Sequence, residues 1–375
     1  MRELTDGSTA IVRGALDAGC TFFAGYPITP ASPILMQILR ELPKVGGVAI
    51  QAEDEIASIG MCIGATLAGS RAMTATSGPG ISLYSENIGL AIMGEVPLVI
   101  VDVQRLGPAT GGATTVGQGD VQFVRWGTGG GYPVIALAPS SVPECYSLTR
   151  RAFDLAERFR CPVFLLTDKE LNMTAITVDL ERYERPPVRA RAVLATADGG
   201  PLVNPPPYRY QPADAVPPMA HYGGETLVRF TGSTHDERAL ITKAPGTVAA
   251  LNEHLRAKIE EHADEIELVR RDFQPGARTL LVSYGVTAGA MREAVRTLRA
   301  AGGRVSSLTL QSLWPVPENA LLDALQHAEH VVVAELNHGQ YRREIERLAP
   351  GREIRGLNRV DGELITPEQF VEAVR

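Results

Sequence analysis

The sequence predicts an α/β chain in which a parallel sheet carries helices on both faces, with a second, smaller α/β module behind it. Three observations predict this. Short β-rich runs alternate with helix-length segments from about Cys20 to Thr167. Runs such as PLVIVDV are apolar without a break in phase, as in a strand covered on both sides. The alternation stops after about Glu184 and resumes at Arg278.

In the first module, residues 1–185, the expected strands are CTFFAG, GGVAIQ, AMTAT, VPLVIVDV, YPVIAL and CPVFLLT. Helices are expected between them at 31–42, 53–69, 80–93, 119–126 and 140–159. Residues 186–277 form a connector. Its PP at 186–187, PPP at 205–207 and PP at 217–218 favour extended chain over a folded layer. GTVAALNEHLRAKIEEHADEIELVRRDF, at 246–273, reads as one long charged amphipathic helix. In the last module, 278–375, TLLVSYG, RVSSLTL and HVVVAEL are strands. Helices are expected there at 287–301, at 317–327 and after Pro367.

Composition removes several function classes. A net charge of −7 gives no electrostatic grip on nucleic acid. The apolar stretch from Leu90 to Val103 is broken by Glu95, Pro97 and Asp102, so no bilayer span is expected. MRELTDGSTA has neither a basic start nor an apolar run, which points to a cytoplasmic protein. Cys20, Cys62, Cys145 and Cys161 are widely separated, with no C-x-x-C pair for zinc or an iron–sulfur cluster. His327 and His330 are expected on one helix face as a solvated pair, so no metal site is assigned. G-x-G-x-x-G, the P-loop and the G-x-S-x-G elbow are all missing.

In an open parallel sheet, ligands bind at the carboxyl ends of the strands, which singles out four segments. GYPITPASPI, at 25–34, is stiffened by three prolines and presents Thr29 at a helix start. Thr29 either caps that helix or meets an anionic ligand. QAEDEIASIGMCIGATLAG, at 51–69, opens a helix with three acids and continues apolar and small. Glu55 either complements the helix dipole or points along the apolar face, where a buried carboxylate needs a partner. TATSGPGIS, at 74–82, sets Thr76 and Ser77 on a glycine-rich strand-to-helix turn. VQRLGPATGGATTVGQGD, at 103–120, sends Arg105 out of a strand end into a long Gly/Thr loop. Arg105 either clamps a carboxylate or pairs at the surface with Asp102 or Asp120.

Taken together, YPITP, the acidic turn with EIASIGM, TSGPG, and QRLGPATG followed by QGD and RWGT resemble the alpha chains of 2-oxoacid:ferredoxin oxidoreductases, especially the 2-oxoglutarate type. The resemblance continues through THDER (234–238), YGVTAGAMREAV (284–295), SLWPVPE (312–318) and ELNHGQ (335–340). It implies that the first module binds the pyrimidine side of thiamine diphosphate and that the last is transketolase C-terminal-like. By that likeness Glu55 meets the aminopyrimidine ring, with Tyr26, Pro27, Ile28, Thr76 and Ser77 around it. Thr29, Arg105 and Thr114 would then face the 2-oxoacid, with Glu55, Thr29 and Arg105 the catalytic set.

The resemblance also implies a beta subunit. No G-D-G motif for magnesium diphosphate occurs in this chain, so Mg²⁺ and an iron–sulfur cluster are expected in the partner, in an α2β2 assembly. The implied reaction is oxidative decarboxylation of a 2-oxoacid, with coenzyme A taking the acyl group and ferredoxin the electrons. GGATTVGQGD lacks the proline and basic residue of many 2-oxoglutarate members, and RWGTGGGY lacks their acidic and histidine character. 2-Oxoglutarate is therefore expected, with a branched-chain or aryl 2-oxoacid as the alternative. A thiamine-dependent oxoacid dehydrogenase or transketolase-type subunit would share the fold.

Overall fold

The computed structural model describes residues 2–179, 183–194, 202 and 205–374. The chain opens with β1 (Arg2–Thr5) and α1 (Gly7–Asp17), whose first turn is capped by Asp6 accepting from Thr9 N at 2.7 Å. Next come β2 (Phe22–Gly25), α2 (Ser32–Glu41), β3 (Val48–Gln51), α3 (Glu55–Leu67), β4 (Ala72–Thr76), α4 (Pro79–Leu83) and α5 (Ser85–Met93). They are followed by β5 (Leu98–Gln104), α6 (Val121–Trp126), β6 (Ile135–Leu137), α7 (Val142–Phe159), β7 (Pro162–Asp168), α8 (Lys169–Met173) and β8 (Ile176–Asp179). The second half begins with α9 (Pro245–Glu260), α10 (Ala263–Ile266), β9 (Val269–Asp272), β10 (Thr279–Tyr284) and α11 (Thr287–Ala300). It ends with β11 (Val305–Leu310), β12 (Ser312–Trp314), α12 (Glu318–Gln326), β13 (His330–Glu335), α13 (Arg342–Leu348), β14 (Ile354–Asn358) and α14 (Pro367–Val374).

The expected α/β class is what forms. Seven strands order as β12-β6-β7-β5-β4-β2-β3, all parallel except β12 against β6. A second sheet orders as β14-β13-β10-β11-β9, parallel but for β9. Along β5 the side chains sort by period two. Val99, Val101 and Val103 enter the core under α1 and α7, while Leu98 and Ile100 enter the core on the α3 and α5 side. That second core continues into the other sheet through Leu280, Val282 and Leu308.

Strand order places the crevice. The chain leaves β2 toward β3 on one side and leaves β4 toward β5 on the other, so the winding reverses between β2 and β4. Pairing between these two strands stops at Phe23↔Met73, although β4 runs on to Thr76 beside β5. Their carboxyl ends therefore part. The Cys62 thiol from α3 spans the opening, donating to Ala24 O (3.8 Å) and Met73 O (3.4 Å). A crevice at such a reversal is where open α/β sheets bind ligands.

Three sequence expectations are corrected. The helix expected over 246–273 ends at Glu260, and Val269–Asp272 instead adds an antiparallel edge strand to β11. A sheet edge with open hydrogen bonds outcompeted the amphipathic pattern there. His327 caps the end of α12 and His330 opens β13, so they do not share a helix face. The Ser312–Trp314 segment, numbered with the last module, hydrogen-bonds to β6 in the first sheet. Ahead of α9 the described connector is turns and irregular chain with isolated bridges at Val193↔Met219 and His235↔Ile241, while 195–201 and 203–204 lie outside the described residues. It is strapped to α7 and the turn after it. Arg189 meets Asp154 at 2.8 Å, Arg191 meets Glu157 at 2.8 Å, and Arg160 donates to the carbonyls of Pro207, Pro217 and Pro218.

Candidate active site

Glu55 stands at the first position of α3. The capping is done by its neighbour, Asp54, which accepts from Ala57 N at 2.7 Å. Glu55 is thus free for another use, and only 8 % of it is exposed. Its carboxylate lies against the start of α4. A Cβ added at Gly80 would sit 3.0 Å from Glu55 Oε1 and 2.1 Å from Thr76 Oγ1, so only glycine lets these groups converge. The buried hydroxyls of Thr76 and Ser77 have no hydrogen-bond partner. Tyr84, buried beneath, bonds Thr74 Oγ1 at 2.7 Å, and burial pushes its phenol far up. It stays neutral.

Arg105 leaves the end of β5 and is buried, which removes the surface ion-pair reading. Its Nη1 donates to the Thr29 carbonyl at 2.5 Å, while its Nε has no partner. The side chain passes over Gly78, where an added Cβ would lie 3.5 Å from Arg105 Cγ and Nε and where φ is +42°. Thr29 does not cap α2, whose start at Ala31 has no side-chain bond. Glu55 and Arg105 therefore both approach one turn, residues 77–80, Arg105 at Gly78 and Glu55 at Gly80. Tyr26 and Pro27 are exposed on the β2 loop and Ile28 packs inward against the core. Thr114 is exposed on the loop after Arg105 and is not drawn into the Thr29–Arg105 contact.

Two acids near Arg105 escaped the sequence reading as a pair. Asp102 is wholly buried in β5 with both oxygens unpartnered, and one oxygen of Asp120 is likewise unpartnered. Burial, and then the Asp120 carboxyl beside it, raise Asp102 well above the usual carboxylate range. Burial pushes Asp120 up to about 6, against the pull of Asp102 and Arg105. Burial and the neighbouring like charge both favour the protonated form of this pair over two adjacent carboxylates. An aspartate inside the apolar run PLVIVDV was the available signal. Among the described residues no group of three His, Cys, Asp or Glu side chains is arranged to hold a metal ion, and no helix is long and apolar enough to cross a membrane.

With this geometry in place, comparison with known proteins is decisive. The model for pyruvate flavodoxin/ferredoxin oxidoreductase, thiamine diphosphate-binding, matches residues 13–248. The chain belongs to this family. A second model, pyruvate:ferredoxin oxidoreductase core domain II, matches residues 277–370. The 2-oxoglutarate synthase subunit KorA of Methanocaldococcus jannaschii is 41% identical, covering 99% of this chain and 99% of the relative. The ketoisovalerate oxidoreductase subunit VorB of Methanothermobacter thermautotrophicus is 35% identical, covering 100% and 97%. Among solved structures, the 2-oxoglutarate:ferredoxin oxidoreductase from Magnetococcus marinus with 2-oxoglutarate, coenzyme A and succinyl-CoA bound superposes with a TM-score of 0.92 at 32% identity. The family member described here spans 64% of that solved chain, and all of itself is covered. A split-gene transketolase, with a TM-score of 0.52 and 13% identity, shares the fold alone.

The residues present fit half of the family's cofactor. A planar aminopyrimidine needs an acceptor for a ring N–H and polar groups at its rim. The Glu55 carboxylate, the unpartnered Thr76 and Ser77 hydroxyls and the bare Cα of Gly80 supply that. The diphosphate half finds no G-D-G motif in this chain.

Proposed function

We propose that this chain is the alpha subunit of a thiamine diphosphate-dependent 2-oxoacid:ferredoxin oxidoreductase. It would convert 2-oxoglutarate and coenzyme A to the acyl-CoA and CO2 while reducing ferredoxin. The observation that carries this is the meeting of a buried carboxylate and a buried guanidinium at one glycine turn, inside the family match over residues 13–248. A beta subunit completes the site with Mg²⁺, the diphosphate contacts and an iron–sulfur cluster, in an α2β2 complex. Residues 1–185 form the pyrimidine-side domain, 186–277 the connector and 278–375 the transketolase C-terminal-like domain.

When bound, thiamine diphosphate supplies the carbanion that adds to the 2-oxo carbon and accepts the electrons left by CO2. This chain's residues prepare that step. Glu55 accepts a ring N–H in surroundings poorer than water in competing donors, which strengthens the bond. Thr29 presents its hydroxyl on the β2 loop for the carbonyl oxygen of the substrate. Arg105, held by its Nη1 on the Thr29 carbonyl, offers the Nε edge to a substrate carboxylate.

Two outcomes follow for Arg105. In the αβ complex, Arg105→Ala should raise the KM for 2-oxoacid roughly ten- to hundredfold, the value of a charge-assisted hydrogen bond. An unchanged KM would remove the clamp. Ionisation of Asp120 places a negative charge beside Arg105 that competes with the substrate carboxylate, so KM should rise as pH increases through about 6. In Asp120→Asn that rise should vanish from the KM-against-pH profile; its persistence assigns the titration elsewhere.

The substrate test is a panel of 2-oxoacids with a viologen acceptor, using the purified αβ complex. 2-Oxoglutarate should give the highest kcat/KM. A specific observation favours a second reading. Arg105 is the one basic residue in 103–120, so a second carboxylate must find its cation elsewhere. If a branched-chain or aryl 2-oxoacid wins the panel, the substrate assignment changes while the chemistry stands.

A further inference from the structure

The loop that carries Arg105 has two ends, and they are held very differently. At its start, Arg105 continues directly from β5. Residues 106–115 then bond chiefly to themselves, with Leu106 N donating to Thr115 O at 3.1 Å and Gly112 N to Leu106 O at 2.8 Å. The far end is anchored by Gln118, which is wholly buried although it sits in a loop. Its Oε1 accepts from Thr287 Oγ1 at 3.1 Å and from Leu336 N at 3.0 Å, and its Nε2 donates to Tyr284 O at 3.2 Å. Its backbone N donates to Leu336 O at 2.9 Å, and its carbonyl accepts from Asn337 Nδ2 at 2.7 Å.

These partners all lie in the C-terminal half, and their neighbours extend the grip. Gln340 Nε2 donates to Gly119 O at 2.7 Å, and Gln340 Oε1 accepts from Gln122 N at 2.9 Å. Asn337 Nδ2 also donates to Tyr284 Oη at 2.9 Å, and that hydroxyl donates to Glu335 Oε2 at 2.8 Å. The backbone is shaped for the amide. Gly285 has φ +58°, and a Cβ there would fall 2.3 Å from Gln118 Nε2. The loop is then closed beside Arg105, since Asp120 N donates to Oε1 of the preceding residue, Gln104, at 3.2 Å. Segment 335–340, ELNHGQ, thus grips the 118–122 end of the arginine loop, and neither Gln118 nor ELNHGQ has a role in the chemistry above.

We propose that Gln118 is a positioning residue for Arg105, and that the C-terminal domain tunes substrate affinity through the Gln118–ELNHGQ clasp. This rests on the proposed role of Arg105. A loop of internally bonded Gly and Thr residues keeps its arginine in register only if both ends are fixed. Releasing the Gln118 end lets the Nε edge wander while leaving Glu55 and the 77–80 turn, which the clasp does not touch, unchanged.

The test uses the full αβ complex. Gln118→Met keeps the volume and removes every side-chain bond, whereas Gly285→Ala crowds the amide from the opposite side. Each variant should raise the 2-oxoacid KM on the order of tenfold with kcat within about threefold, as expected for a misplaced binding group. Thiamine diphosphate affinity, followed by quenching of intrinsic fluorescence, should stay within about twofold of the parent protein, and amide exchange in 106–117 should accelerate. Unchanged KM in a variant that assembles and binds the cofactor overturns the proposal. So does loss of assembly or cofactor affinity in both variants, which marks a general structural role. Arg105→Ala separates the layers. If it too leaves KM unaltered, the role given to Arg105 falls; if it raises KM while Gln118→Met does not, only the clasp falls.

Discussion

Glu55→Gln in the αβ complex should abolish decarboxylation, lowering kcat on the order of a thousandfold, the scale of losing a positioned acid–base group. The substitution is nearly isosteric, and the local structure tolerates it. Asp54, not Glu55, caps α3, and glutamine keeps the shape of the Glu55 side chain. Glutamine still presents a carbonyl oxygen to the 77–80 turn. It cannot hold a negative charge there, so a ring N–H gains a neutral contact in place of a charge-assisted one, about half as strong. The measurement is CO2 release and viologen reduction, paired with melting temperature and gel filtration. Full assembly with lost turnover is the expected pair of results. Normal turnover would exclude Glu55 from the chemistry, and loss of assembly would make it an interface residue instead.

The legible part of this fold was the part governed by short-range pattern. Strands buried on both faces, such as Leu98–Gln104 and Pro162–Asp168, announce themselves as apolar runs, and the helices expected at 31–42, 53–69, 119–126 and 140–159 form within a few residues, while the one expected at 80–93 breaks into α4 and α5. Strand ends then pointed to GYPITP, Glu55, TSGPG and Arg105. The rest depended on contacts that no local window contains. Val269–Asp272 is a strand because β11 offers it an edge, and Ser312–Trp314 crosses to the first sheet to pair with β6. Arg2–Thr5 and α1 went unremarked although Asp6 before an apolar run is an ordinary helix start. Asp102 in β5 and Asp120 are eighteen positions apart, joined by a loop whose path the sequence does not reveal, so their pairing was invisible. Gln118 is more remote still, because its partners lie more than 160 residues away.

The largest stability effect is expected far from this crevice, at Lys258. Glu95, in the turn between α5 and β5, is wholly buried with φ +50°. Lys258 Nζ from α9 meets its Oε2 at 2.8 Å, and His254 Nε2, one turn earlier on the same helix, meets it at 3.0 Å. His254 Nδ1 lies 2.9 Å from Ala213 O, so both ring nitrogens face acceptors. Lys258 also donates to Arg160 O at 3.2 Å, and the Arg160 guanidinium holds the prolines of the connector. One buried carboxylate therefore pins α9 and the connector to the first sheet. Burial alone would raise its pKa, but the Lys258 ammonium, the His254 bond and Arg160 outweigh burial and hold Glu95 far below the usual carboxylate range. A depressed pKa contributes stability above the ordinary carboxylate value that disappears as pH falls through the folded one, so acid should loosen this clasp.

Lys258→Met removes one partner and leaves the carboxylate buried, which should cost about 3–5 kcal/mol in urea or thermal unfolding. Lys258→Met combined with Glu95→Met removes the stranded charge as well, and it should recover most of that loss. The recovery distinguishes a charge effect from a packing effect. If the single variant costs under about 1 kcal/mol, or the double variant costs the sum of its singles, Glu95 is not held as an ion and the acid sensitivity must come from other groups.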